Sequence, residues 1–325
     1  MSEHSQHMEH DRGSWGSNFG FLMAAVGSAV GLGNIWGFPY KMGSNGGFAF
    51  LVIYLLLVIF VGVVVMLGEL SIGRKTGLGT VGAYAKLGKK YKWIGLLGIL
   101  AAFCLLAFYN VLGGLVMRYM FGFILQILDV DGFAGQSGNF FGYILHDYSG
   151  MVFFHVLFIV CNVVIVMGGI QGGIEKFCTV AMPALFFMLL FVIIYVAFQP
   201  GAGEGYAFML TPNLKPISTF SGFLNVLKTA AGQMFFSLSL GMGAIISYGS
   251  SLDKKENLQK NALIIPACDT LIAVMAACAI LPACAAFGME YSQGPGLLFN
   301  TMQNVFLSMG SFGSVVGFIF YFLVL

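Results

Sequence analysis

Uncharged apolar runs recur along this chain, and they decide what it can fold into. They cover residues 13–40, 42–68, 93–117 (continuing toward 128), 148–174, 177–203, 229–252 and 261–288, the last interrupted by Asp269, and another begins at 311–325. A bilayer crossing takes about 20 apolar residues, so the runs predict eight spans. Charge supports this: 15 Lys and Arg and 13 Asp and Glu make 9% of 325 residues, against about 25% in soluble domains. The chain reads as an all-α polytopic membrane protein with the lipid bilayer as its solvent. A nucleic-acid binder or a soluble enzyme is excluded.

Basic residues orient the spans. Arg74, Lys75, Lys86, Lys89, Lys90 and Lys92 crowd one loop and Lys254, Lys255 and Lys260 another, whereas the loop holding Asp129, Asp131 and Asp147 has no Lys or Arg. Basic loops stay in the cytoplasm, which predicts a cytoplasmic N-terminus in a cell (inner or plasma) membrane. The divisions are a polar tail over 1–12, spans one to five over 13–200, an extracellular loop over 201–220, and spans six to eight over 221–325. The expected turn between spans four and five is Glu175-Lys176, and residues 290–309 are expected as a short apolar helix over the outer face. Only 15 residues follow Gly310, which reads as C-terminal truncation within the eighth span. The six cysteines lie in or beside apolar stretches without CxxC pairing, a packing pattern rather than a disulfide or metal one. The tail is not a signal peptide, because no short apolar core and cleavage site follow it.

Helix-breaking and polar features inside spans mark chemistry, since lipid-exposed backbone must satisfy its own hydrogen bonds. The first span carries Gly27, Gly31, Gly33 and Asn34 near its middle, and the sixth carries Phe236-Ser237-Leu238-Ser239-Leu240-Gly241-Met242-Gly243. Alone, Gly27 and Gly31 also suit close GxxxG helix packing. As a pair of Gly-interrupted segments running in opposite directions, the two spans point to a transporter binding site. Broken helices offer amide ends to an anion and carbonyl ends to a cation. Asp269 adds a carboxylate at a helix centre, which costs about 2.5–3.5 kcal/mol on insertion; a protonated or Ser/Asn-bonded structural Asp is the alternative. Glu69, near an interface, suits a structural role bonding loose backbone at least as well as a substrate role. Asn34, Ser237, Asp269 and exposed carbonyls make an oxygen set for a hard cation such as sodium. No HExxH, GxSxG or phosphate-binding loop is present, so an enzyme is not expected.

At these residues the sequence resembles the neurotransmitter:sodium symporter family, of the bacterial amino-acid type. The stretches that carry the resemblance are GSAVGLGNIWGFPYK over 27–41, NGGF over 45–48, GELSIGR over 68–74, Phe108-Tyr109, GIEKFCTVAMP over 173–183 and GQMFFSLSLGMGAIISYGSS over 232–251. It implies a fold of two inverted five-helix repeats, with the first and sixth helices broken. It also implies a sodium site formed by the Ala29 carbonyl, Asn34, Ser237 and Asp269, completed by the substrate carboxylate. That carboxylate would lie against the amides of Leu32 and Gly33 and the hydroxyl of Tyr109. Phe236 would lid the pocket, Ser239 and Met242 would face the amine and side chain, and Leu105, Phe236 and Met242 would suit an apolar or aromatic side chain. A second sodium would use carbonyls of Gly27 and Val30, its other ligands belonging past Leu325. Arg12 and Trp15 match a cytoplasmic gate, and Tyr109 and Phe236 an outer one.

Departures from the family pattern sharpen the expectation. Gly37 stands where relatives usually carry a basic gate residue, with Lys41 four residues on as a conceivable substitute. Ser251 stands where an aromatic commonly packs. Asp269 replaces a common Asn, and Ala273 one turn later offers no hydroxyl to an anion, so chloride independence is expected. Gly31, where monoamine transporters place Asp, leaves room for a substrate's own carboxylate. The resemblance thus implies a sodium-coupled secondary symporter of neutral, apolar or aromatic amino acids, with no cofactor besides co-transported sodium. Rival readings are a channel-like pore, a non-transporting sensor, or a truncated remnant.

Overall fold

The computed structural model describes residues 17–130, 140–253 and 255–325, and among them every regular element is helical. Five of their helices are long and apolar enough to cross a membrane: Phe48–Thr76, Lys89–Ile127, Tyr148–Met167, Gly172–Ala197 and Leu258–Ala286. Phe19–Ala29 and Gly33–Ser44 form a sixth candidate, bent by 50°. The expected sixth span is two helices, Phe220–Ser237 and Ala244–Ser250, and the eighth is the shorter Ser311–Val324. Apolar surface agrees with a bilayer: the 20-residue helix Tyr148–Met167 buries only Phe154, so its remaining apolar faces need lipid. The chain is a multi-pass membrane protein.

Local sequence sets the helix starts. Ser17, Asp147, Thr219 and Asn257 each cap a helix by accepting a hydrogen bond from the amide three residues on, at 2.9 to 3.1 Å. Such side chains satisfy amides that have no intrahelical partner. Asp147 also pairs with Arg118 at 2.6 Å, tying the start of Tyr148–Met167 to Lys92–Ile127. The Gly150 amide holds the Asp147 carboxyl below its usual range, with further help from Ser149 and Arg118. A lowered folded-state value stabilises at neutral pH and is lost as the carboxyl protonates in acid. Asp147→Ala is therefore expected to cost about 1 kcal/mol at neutral pH, and Asp147→Asn less. Thermal unfolding in detergent at neutral and acidic pH checks this: a loss that persists undiminished in acid would contradict it.

Several boundaries differ from the sequence expectation. The sixth segment opens at Phe220, not after Lys228, which sits on an exposed face of that helix. Glu175-Lys176 is not a turn: a π-helical stretch Ile170–Glu175 runs directly into Lys176–Ala197, and the chain reverses at Gly169 with φ 72°. Both expected outer loops contain helices, Phe140–His146 and Ala202–Leu210. Residues of 290–309 are not draped over a face either, because Leu297, Leu298, Phe299, Met302, Val305 and Phe306 are all buried. They pack with Tyr119, Phe123 and Tyr321 in an aromatic cluster.

Among the described residues the buried apolar side chains gather into two cores. One gathers Lys92–Ile127, Lys176–Ala197 and Ser311–Val324; the other gathers Phe48–Leu57, Val63–Thr76 and Phe220–Ser237. The helix Leu258–Ala286 contributes to both, with Ile272 and Ala279 in the first and Ile265 and Ala277 in the second. Ala244–Ser250 crosses Val63–Thr76 so closely that a Cβ at Gly73 would stand 2.2 Å from the Ile246 carbonyl oxygen. Only glycine permits that approach, the small-residue packing usual between membrane helices. Both broken helices meet Leu258–Ala286 where the two cores adjoin.

Candidate functional site

The first break lies where the glycines put it. Asn18–Ala29 ends with Val30 extended, and the chain resumes as a π-helical turn Gly33–Gly37 leading into Phe38–Ser44. Val30 to Leu32 thus belong to neither helix, and the terminal carbonyls and amides around them lack regular partners. Side chains take up some of these groups. The Gly31 amide donates to Asn34 Oδ1 at 3.2 Å, and the Gly33 amide to the Tyr109 hydroxyl at 3.1 Å.

The second break spans Leu238 to Gly243, with Gly241 and Gly243 both at φ 81° and Ser239 at φ 53°. A serine in the left-handed region costs about 1–2 kcal/mol, so contacts must hold it. Its hydroxyl donates to the Ser28 carbonyl at 3.3 Å, tying the second break to the last turn of the helix that precedes the first. Glu69 is buried and its Oε1 accepts from the Gly241 amide at 2.7 Å, while Thr80 donates to the Gly243 carbonyl at 2.8 Å.

Asp269 occupies the junction. Asp269, Asn34 and Ser237 have 0%, 0% and 1% exposure. Asn34 Nδ2 donates to Asp269 Oδ1 at 2.7 Å and to its main-chain carbonyl at 3.0 Å. The Ser237 hydroxyl, the last residue before the second break, donates to Asp269 Oδ2 at 2.8 Å. Three helices therefore converge on one carboxylate with neutral oxygen-bearing partners. A hard cation favours this donor type.

Beside this junction lies a cavity of about 380 Å³. Of the ten residues expected to line a substrate site, Ala29, Gly31, Leu32, Leu105, Tyr109, Phe236, Ser239 and Met242 line it. Gly33 and Ser237 do not; the first bonds Tyr109 and the second Asp269. Gly27 and Val30 also line the cavity. The rings of Tyr109 and Phe236 stand 5.8 Å apart at 49°, closing one side. Arg12 and Trp15, the expected cytoplasmic gate, lie outside the described residues.

Gln233 was not among the residues expected from the sequence. It is fully buried, and its Nε2 donates to the Gly33 carbonyl at 2.8 Å. The available signal was an amide side chain three residues before Phe236 in an apolar half-helix.

A bundle of membrane helices whose two interrupted members enclose a buried carboxylate and a cavity is the architecture of a broken-helix secondary transporter. The comparisons give the family. The model of the Sodium:neurotransmitter symporter family matches residues 12–130 and 144–325, and the chain belongs to it; its members are secondary transporters, not enzymes. An uncharacterized sodium-dependent transporter of Bacillus subtilis (strain 168), YhdH, is 35% identical over 313 residues, covering 95% of this chain and 68% of that one. An uncharacterized sodium-dependent transporter of Haemophilus influenzae is 36% identical over 320 residues, covering 94% and 69%. The crystal structure of MhsT in complex with L-phenylalanine matches with TM-score 0.87 at 39% identity, over 96% of this chain and 70% of that one. The fold is thus that of a sodium-dependent transporter family, and sodium is the coupling ion it implies.

Proposed function

We propose that this chain carries out sodium-coupled symport of neutral amino acids with apolar or aromatic side chains, by alternating access around the two breaks. The observation that carries the reading is the convergence of Asn34, Ser237 and Asp269 beside the cavity. A sodium ion there would take Asp269, the Ser237 hydroxyl, the Ala29 carbonyl and Asn34, whose amide would turn its oxygen inward from Gly31. The substrate carboxylate would complete the shell, so each ligand raises the affinity of the other by the same factor. Carbonyls of Gly27 and Val30 would contribute to a second sodium site. Leu105, Phe236 and Met242 give the cavity an apolar wall, and the similar MhsT was solved with L-phenylalanine. In this reading the N-terminus is cytoplasmic in a cell membrane, and Asp269 makes chloride unnecessary.

The test is saturable, sodium-dependent binding and uptake in proteoliposomes. Leucine, tryptophan or tyrosine in excess is expected to displace the bound amino acid when sodium is present and not when potassium replaces it. If none of the three competes, the substrate class is wrong. Binding without flux would mark a sensor, and flux that does not saturate a pore.

A further inference from the structure

Lys41 makes a set of contacts above the site that no part of the sodium or amino-acid shell requires. It lies in Phe38–Ser44, two turns beyond Gly33. Helical side chains lean toward the N-terminus, and the Lys41 ammonium reaches back to donate to Gln233 Oε1 at 2.8 Å. The same amide donates through Nε2 to the Gly33 carbonyl at 2.8 Å. The ammonium also sits 5.4 Å from the centroid of the Phe236 ring, one turn after Gln233 on the same helix face. One cation thus fixes both the orientation of a buried amide and the ring that covers the cavity.

Gly37 adds the second observation. A Cβ built there would stand 3.5 Å from the same Gln233 Oε1, an ordinary contact, with the Leu32 carbonyl at 3.9 Å. Positions 37 and 41 are one turn apart, so both face one acceptor, and a cation from either can reach it. This chain has glycine at the nearer position and lysine at the farther.

We infer that Lys41 is the positioning residue of the outer lid, locking Gln233 onto the Gly33 carbonyl and Phe236 over the cavity, and that its charge is interchangeable with one carried at position 37. The inference rests on the transporter reading and adds to it what holds the lid. Without the ammonium, Gln233 Oε1 would be buried with no donor, and that cost would be relieved by the amide leaving Gly33, freeing Phe236.

The experiment measures dissociation of a bound aromatic amino acid from the purified protein in saturating sodium. Lys41→Met, which keeps the apolar stem, is expected to speed release about tenfold, in line with the loss of one charge-assisted bond. Lys41→Arg is expected to stay within about twofold, and adding Gly37→Arg to Lys41→Met to return release to near the original rate. Unchanged release in Lys41→Met overturns the inference. So does rescue by Gly37→Met as good as by Gly37→Arg, which would make the role one of packing, or failure of Gly37→Arg to rescue at all. Hydrogen–deuterium exchange of the 30–44 peptide, in sodium without amino acid, gives a second readout. Faster exchange in Lys41→Met, reversed by Gly37→Arg, is expected, and exchange unchanged by Lys41→Met overturns the inference. The second readout stands even if no amino acid binds, an outcome that would instead sink the proposed function.

Discussion

Replacing Asp269 by asparagine is expected to raise the sodium concentration needed for half-maximal amino-acid binding about a hundredfold. Asp269 is fully buried, and its side-chain partners, Asn34 and Ser237, are neutral. Among the described residues no cationic side chain pairs with it. A lone charge in that setting is costly to bury, and removing one member of a buried ion pair costs about 3–5 kcal/mol. The sodium ion would be that partner, so the loss falls on sodium affinity more than on folding. Asparagine is close in size and keeps an oxygen for the cation, so the variant isolates charge from shape. The same logic predicts that the unaltered protein binds equally well with chloride or gluconate as the anion. Ala273, one turn later and fully buried, offers an anion no donor. Asp269→Asn combined with Ala273→Ser is expected to recover binding only when chloride is present. Binding by the unaltered protein that fails in gluconate, or an Asp269→Asn variant with normal sodium dependence, would refute this account.

What could be read from the sequence was whatever carried a high local cost. Glycines packed into the middle of an apolar run, and a carboxylate inside another, are expensive in a bilayer and so stand out. The breaks at Val30–Leu32 and Leu238–Gly243, and the position of Asp269 between them, follow from those residues. Features whose cost is relieved by a distant neighbour were not legible. Lys228 looked like the end of a span because it is charged, yet it sits on an exposed face in the middle of Phe220–Ser237. The glycines around Glu204 looked like a loop. In the structure Gly205 lies within the helix Ala202–Leu210, and a Cβ there would stand 2.4 Å from Pro282 Cα; the glycine marks a crossing point with Leu258–Ala286 rather than a loop. Gln233 was silent for a related reason. An uncharged amide costs little in a sequence scan, and its value appears only when Gly33 and Lys41 are brought to its two ends.

Gly31→Asp is expected to exchange one substrate class for another. Gly31 lines the cavity, and a Cβ there would meet Tyr109 only at 3.8 Å, so a side chain enters without displacing backbone. A carboxylate at this point would stand among the groups proposed for the substrate's own carboxylate: the Leu32 and Gly33 amides, the Tyr109 hydroxyl and the sodium ion. With Asp269 close by, two fixed negative charges would face one sodium, and an amino-acid carboxylate would add a third. Affinity for L-phenylalanine or L-tryptophan is therefore expected to fall at least about a hundredfold, equivalent to about 2.7 kcal/mol. Phenethylamine and tryptamine, which keep the ring and amine but lack the carboxylate, should become competitors that the unaltered protein ignores. Gly31→Ala separates bulk from charge: at 3.8 Å its methyl makes ordinary contact, and affinity should change by no more than about threefold. If Gly31→Ala is as damaging as Gly31→Asp, the glycine is there for space alone. If Gly31→Asp still binds phenylalanine tightly, the substrate carboxylate does not lie at this break, and the shared contact between amino acid and sodium must be sought elsewhere in the cavity.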